Sequence, residues 1–439
     1  MSGPWHYPPA ARGSVADDYF GTRVPDPYRW LEQLDAPATQ SWVRAQNHLS
    51  QPWLDALPQR EWIKRRLTAL VDYPHFGIPV HEGGRYFFTY NSGQQNQSAL
   101  YTAAELPVAD HLPPHARVLV DPNTLSGDAT VALTDFVPDP QGRRVAYALS
   151  DAGSDWTSWH VRDAGSGRDL PDLIRFTKFT TVSWARDGSG FYYSRYPLGA
   201  DGSGDDQRQA VVYFHRLGQP QSNDRLIYAV TDSHTRVPYG SVTDDGRYLV
   251  LTVGEGTLVD GIVVLPLTDS GARVQTGPGA PGPIQLLYRF DGLYTFIGSQ
   301  GDELYFTTTA GAPRSRIIAV DVHDPRPAAW RTVVPQAADV LSQASLVGAH
   351  LIALYLHDAH SLVRVYDRSG GAERELALPG LGSVAGFQGH DYDRETYFSY
   401  TDFFTPPRIL RFSVASGDAT AVWTPALPAD LSPFVTEQV

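Results

Sequence analysis

Gly246-Arg247-Tyr248-Leu249-Val250, a glycine turn followed at once by an aromatic and branched run, decides the fold because it recurs. Its counterparts are Gly84-Arg85-Tyr86-Phe87-Phe88, Gly142-Arg143-Arg144-Val145-Ala146-Tyr147 and Gly188-Ser189-Gly190-Phe191-Tyr192-Tyr193. They continue with Gly301-Asp302-Glu303-Leu304-Tyr305-Phe306, Gly348-Ala349-His350-Leu351-Ile352-Ala353 and Arg394-Glu395-Thr396-Tyr397-Phe398. The spacings are 58, 46, 58, 55, 47 and 46 residues. A further apolar run follows each copy at a similar offset, from Leu100-Tyr101-Thr102 in the first to Ile409-Leu410-Arg411 in the last. Units of roughly fifty residues, each a hairpin plus another strand, predict four-stranded blades. One such sheet buries too little apolar surface to stand alone, so the blades must pack around an axis. A pair of β-sandwiches is the rival arrangement, and a single period running through the whole region argues against it. The expected fold is mainly β: a seven-bladed β-propeller with an N-terminal α-helical segment. The expected boundaries are 1–72 for that segment, 73–430 for the propeller, and 431–439 for the start of a linker.

Residues 1–72 differ in character. Asp26-Pro27-Tyr28-Arg29-Trp30-Leu31-Glu32 predicts a short helical turn with proline at an early position. Thr39 is expected to cap a second helix through Trp42, Val43, Gln46, Leu49 and Trp53, which recur at helical spacing. A third helix is expected over 58–72, with Trp62, Ile63, Leu67 and Leu70 on its buried side. Lys64-Arg65-Arg66 within it reads as a solvated face. Residues 198–206 and 277–283, rich in glycine, read as surface loop insertions.

Composition narrows the function. The apolar fraction of 42% suits a globular chain, and 23 Tyr, 18 Phe, 39 Gly and 34 Pro suit an all-β body with many turns. The net charge of −13 disfavours phosphate backbones and anionic lipid, so neither nucleic acid nor membrane is an expected partner. There is no cysteine, which removes disulfides, thiolate nucleophiles and Cys-ligated metals. No apolar h-region opens the chain, and no run has the length of a membrane span, so the cytoplasm is the expected compartment. The two lysines are Lys64 and Lys178, the remaining basic residues being arginine.

No serine satisfies the G-x-S-x-G elbow: Ser166 and Ser189 sit in Gly-Ser-Gly triplets with the wrong outer spacing and read as turns. H-E-x-x-H and the glycine-rich phosphate loops are absent. His357-Asp358-Ala359-His360 follows a strand and reads as a polar turn rather than a metal site. Asp201-Gly202-Ser203-Gly204-Asp205-Asp206 lacks the terminal Glu of an EF-hand. No catalytic residue, metal ligand or cofactor is expected from this chain.

The collected motifs resemble the prolyl oligopeptidase family. The resemblance runs from Tyr7-Pro8 through the DPYRWLE segment, Trp42-Val43, Gln46-Asn47 and Asp72-Tyr73-Pro74. In the propeller it includes Gly153-Ser154-Asp155-Trp156, Lys178-Phe179, Asp244-Asp245-Gly246-Arg247-Tyr248, Tyr355-Leu356-His357-Asp358 and Thr401-Asp402-Phe403. It implies a cytosolic serine peptidase that cuts short peptides after proline, its propeller set over an α/β-hydrolase domain and admitting only oligopeptides. The helical segment would pack on that hydrolase domain, in cis or in trans. The segment that would supply the catalytic Ser, Asp and His is expected to lie beyond this sequence, so the chain alone is expected to be inactive. By the same resemblance Phe179 borders a substrate subsite, Val237 and Thr257 line it, and Asp155 faces the hydrolase domain. Gly254 stands where many members carry a substrate-facing arginine. Two other readings remain: a stand-alone propeller used as a binding module, and a propeller enzyme of another kind. The aromatic-rich helical segment favours the peptidase reading, because a stand-alone propeller has no need of it.

Overall fold

Along the strand Tyr248–Glu255 the apolar side chains are buried on alternate faces. Tyr248 and Val250 pack with Tyr294, Leu304 and Phe306 of the following blade. Leu249, Leu251 and Val253 pack with Tyr192, Val212 and Phe214 of the preceding one. A strand buried on both sides reads as a near-continuous apolar run, which is why this strand stands out in every repeat. The computed structural model describes residues 6–107, 111–199, 202–268, 271–275, 282–371, 374–427, 430–431 and 433–438. Residues 277–281 of the second loop insertion, and 200 and 201 of the first, lie outside the described residues.

The chain divides into two units, Met1–Asp72 and Tyr73–Val439. The second is the seven-bladed propeller expected from the repeats. Each blade is an antiparallel meander whose strands pair with their sequence neighbours, and no strand is exchanged between blades. In blade one the first strand is broken into His75–Phe76 and Val80–Glu82, both paired with Arg85–Asn91. Blade seven is Ser383–Gln388, Glu395–Thr401, Arg408–Ser413 and Ala419–Trp423. Among the described residues there are seven buried apolar clusters, one at each junction between neighbouring blades. The cluster that closes the ring joins Phe76 and Phe88 of blade one to Tyr397, Ile409 and Trp423 of blade seven. Phe76 stacks on Trp423 with ring centroids 5.2 Å apart.

Glycine is required where turns of adjacent blades meet. Gly83 has φ of +56°, and a Cβ there would lie 1.9 Å from the Gln141 carbonyl oxygen of blade two. Gly142 reciprocates, with φ of +61° and a Cβ that would lie 2.2 Å from the Glu82 carbonyl oxygen.

The first unit has its own organisation. Ala16–Tyr19 and Thr22–Pro25 form a hairpin. Arg29 in the 3-10 turn Arg29–Glu32 bonds Asp17 and Asp26. The helices are α1 (Pro37–Asp55) and α2 (Arg60–Val71). Thr39 is not the cap expected from the sequence. The cap is Ala36, three residues earlier, because Pro37 is already suited to the first helical position, and the Thr39 hydroxyl donates to the Trp30 carbonyl oxygen at 3.0 Å. Trp30 packs edge-to-face on Trp42, with centroids 6.5 Å apart, and its indole N–H donates to the Ala11 carbonyl. Trp62, Ile63, Leu67 and Leu70, expected on a buried side, are exposed. Among the described residues of the first unit, only Thr39 is buried.

Inside the propeller one ion cluster is fully buried. His215 lies between Asp172, 2.9 Å from Nε2, and Asp224, 2.7 Å from Nδ1. Asp172 belongs to the fourth strand of blade two and His215 to the third strand of blade three, so the cluster stitches two blades. Burial alone would lower the imidazole pKa, but the bonds to Asp172 and Asp224 outweigh it and raise it to about 9.

Two outcomes follow from this packing. Trp423→Ala should destabilise the chain by about 3–5 kcal/mol, read by urea unfolding. Trp423→Phe should cost much less, because the buried indole N–H has no hydrogen-bond partner to lose. His215 has its folded pKa raised above its ordinary 6.5, so its contribution is complete below that pH and is lost as pH climbs through about 9. The urea midpoint should therefore fall across that window, and His215→Asn should be less stable at its lower edge and flatter through it.

Candidate functional site

Strand direction alternates within each blade, so chain topology sorts the loops to two ends of the propeller. Turns between second and third strands share one end with the connections from each fourth strand to the next blade. The chain enters the first strand of blade one and leaves the last strand of blade seven at this same end. The remaining turns lie at the far end.

All four residues singled out by the resemblance fall at the entry end. Asp155 closes the turn before Trp156–Asp163, and Phe179 follows Asp169–Lys178. Val237 begins the first strand of blade four, and Thr257 lies in the turn between Tyr248–Glu255 and Val259–Pro266. Phe179 is 78% exposed. Its φ is +55°, a left-handed conformation that costs a non-glycine residue about 1–2 kcal/mol. Phe20, at the tip of the first unit's hairpin, combines the same backbone conformation with full exposure, so the conformation sets the Phe179 ring outside without by itself assigning it a role.

Lys178 organises the surroundings of Phe179. Its ammonium donates to Asp206 at 2.9 Å and lies 3.7 Å from Asp155. It also stands 5.2 Å from the centre of the Phe179 ring and 5.5 Å from that of Trp156. Trp156 packs edge-to-face on Tyr196. The hydrogen bond to Asp206 raises the lysine pKa, and the same bond lowers that of Asp206. Asp155 and Phe179 are thus brought to one cation, from blade two and the connection to blade three.

Val237 and Thr257 belong to a second group, on blade four. Val237 is half-buried and pairs in register with Gly254, whereas Thr257 is exposed beside Leu258. Gly254 offers no side chain, yet a guanidinium stands one residue before its pairing partner. Arg236 lies 3.5 Å over the Phe290 ring and pairs with Glu255 at 3.0 Å and Asp232 at 3.1 Å. Gln209 connects the two groups, donating from its amide to the Ser233 and Arg236 carbonyls three residues beyond Asp206. Sequence reasoning missed Arg236 and Phe290. No local signal marks the pair, because Phe290 comes from the connection to blade five.

The other candidates resolve as turns. His357 and His360 face each other across a hairpin, with rings 5.2 Å apart, and His357 Nδ1 lies 2.8 Å from Asp339. Among the described residues, no group of three or more His, Cys, Asp or Glu is arranged to hold a metal ion. No helix among them is long and apolar enough to cross a membrane. Near the end of the chain Phe434 stacks on Phe404 of blade seven, and Gln438 donates to the Asp358 carbonyl of blade six.

Residues 8–424 match the family model described as the prolyl oligopeptidase N-terminal β-propeller domain. A prolyl endopeptidase of Elizabethkingia miricola is 32% identical over 435 residues, which cover 99% of this chain and 59% of the relative. Prolyl oligopeptidase A of Amanita bisporigera is 29% identical over 94% of this chain and 57% of its own length. Among solved structures, prolyl oligopeptidase B of Galerina marginata bound to a 35mer hydrolysis and macrocyclization substrate superposes with a TM-score of 0.84 at 25% identity, covering 98% of this chain and 62% of that one. The chain therefore spans about three fifths of the length of the relatives it matches.

Lys178→Met should change global stability by less than ~1 kcal/mol, as a partly exposed ion pair does. It should nonetheless accelerate amide exchange at 205–209, where Asp206 loses its tether, and leave the strands of blades five and six unchanged.

Proposed function

Because the chain belongs to the prolyl oligopeptidase N-terminal β-propeller family, we propose that it is the propeller portion of a serine peptidase that cleaves short peptides after proline. Its part is to admit substrate by size and to lend side chains to the subsites beside the cut. The catalytic residues would come from an α/β-hydrolase domain joined in cis, in the cytoplasm, and no cofactor enters the reaction. One observation carries the reading: the strained, exposed Phe179 lies at the end of the propeller where the chain enters and leaves. A hydrolase domain attached to both strand ends would meet the propeller there.

Within this reading, Phe179 presents an apolar face to a substrate residue upstream of proline, and Val237 and Thr257 line the same approach from blade four. Asp155 would meet the hydrolase domain while sharing Lys178 with Asp206. The exposed apolar side of α2 supports a docking role for the first unit, since burying Trp62 and Leu67 against a partner would stabilise the pair by about 1.5–3 kcal/mol per side chain.

The test joins residues 1–439 to the hydrolase domain of a relative and measures turnover of proline-containing peptides. The enzyme should cut short peptides after proline, be blocked by a fluorophosphonate, and spare the same bond inside a folded protein. Phe179→Ala should lower kcat/KM roughly five- to thirtyfold, equivalent to about 1–2 kcal/mol of lost apolar contact. The loss should be larger for a bulky apolar residue two positions before proline than for glycine there. Equal losses on both substrates would remove Phe179 from the subsite.

A further inference from the structure

The turns joining first to second strands crowd the far end of the propeller. The seventh of them, 389–394, is the longest, and it does not stay within its own blade. His390 Nδ1 lies 2.7 Å from Asp244 Oδ1, and its Nε2 lies 2.5 Å from Glu82 Oε1. The Asp391 amide donates to Asp244 Oδ2 at 2.9 Å, and the His390 amide donates to Asp393 Oδ2 at 2.8 Å. Tyr392 stacks on the imidazole with centroids 5.0 Å apart.

Asp244 follows the first strand of blade four, and Glu82 ends the first strand of blade one. Blade four is three places from blade seven in one direction around the ring and four in the other, so the His390–Asp244 bond crosses the axis. One imidazole thereby ties together three blades that share no strand. Beside it lies a cavity of about 320 Å³ lined by Ser183, Trp184, Arg186, Asp244, His390 and Tyr392.

We propose that the 389–394 turn is a strap that shuts the far mouth of the propeller channel, and that His390 is its fastening, holding blade one to blade seven across their seam. Both ring nitrogens face carboxylates, so both donate and the ring is an imidazolium. Burial works against that charge, but the bonds to Asp244 and Glu82 prevail and raise the pKa to about 11. The charge is needed. Glu82 and Asp244 flank this ring, and without the imidazolium the two carboxylates would face one another across it, with the Asp391 and Asp393 carboxyls close enough to feel the same charge. The strap itself is a turn, so releasing it requires no blade to unfold.

The test uses the full chain and two readouts. In hydrogen exchange, His390→Ala should speed the amides of 389–394 and of the seam strands His75–Phe76 and Ala419–Trp423 roughly tenfold or more, with Glu303–Thr308 in blade five unchanged. The second readout exploits the absence of cysteine. Ser183→Cys places a single thiol on the cavity wall behind the strap, and His390→Ala should raise its rate of reaction with a maleimide by a similar factor. The entry end is the same in both backgrounds, so any rise reports the far mouth. Glu82→Gln removes one charge while keeping the shape and should move both readouts the same way, which keeps the test decisive should His390→Ala fail to fold. Unchanged alkylation would overturn the strap, and unchanged exchange at the seam would overturn the fastening. Equal acceleration in all seven blades would overturn both, since that is loss of global stability.

Discussion

Face-to-face apolar packing between neighbouring blades is the constraint on which the rest of this molecule depends. Each blade buries both faces of its middle strands, so none has a solvated side on which to stand alone. The same requirement closes the ring. No strand passes from blade one to blade seven, and the seam is held by the Phe76–Trp423 stack and its apolar neighbours. Two contacts that hydrophobic packing does not demand are added to it. His215 between two aspartates stitches blades two and three, and His390 spans the axis. Hydrophobic burial is non-directional. Hydrogen-bonded ion clusters at stated positions supply the direction, fixing which turn meets which.

A closed ring leaves its ends free for function. The strands are committed to packing on both sides, so side chains available to a ligand or partner lie in turns and strand termini. Phe179 shows the consequence most clearly. It follows a strand whose last residue, Lys178, already serves two carboxylates, and its own backbone is turned into a left-handed conformation that leaves the ring outside. The far end has the opposite character. Gly83 and Gly142 bring turns of adjacent blades into contact, and the longest of the first-to-second-strand turns reaches across to blade four.

What could be read in advance followed burial. The second and third strands of every blade were legible, because strands buried on both faces show as uninterrupted apolar runs at a regular interval. First and fourth strands were not: Ser183–Trp184, Ile284–Gln285 and Arg374–Glu375 are two residues long and carry no pattern of their own. The start of α1 was misplaced because Thr39 has the chemistry of a cap, while the hydroxyl is used for a contact to Trp30 that sequence spacing does not reveal. The apolar stripe of α2 was legible as a stripe. Periodicity marks which residues seek cover, and the resemblance named what would cover them, a hydrolase domain on which this segment packs.

By itself, then, the sequence determined the number of blades, the separate character of residues 1–72 and the family, because repeats, helical periodicity and the DPYRWLE segment are local. It also singled out Phe179, Asp155, Val237 and Thr257, through resemblance rather than through any pattern in the residues. Only the tertiary structure decided that these four share one end of the propeller, that Lys178 joins two of them, and that Arg236 stands beside Gly254. It alone placed His390 on Glu82 and Asp244, which are 308 and 146 residues away in the chain. The reason is physical. A propeller's turns are set side by side by the packing of whole blades, so a contact between two turns has no counterpart in the spacing of either.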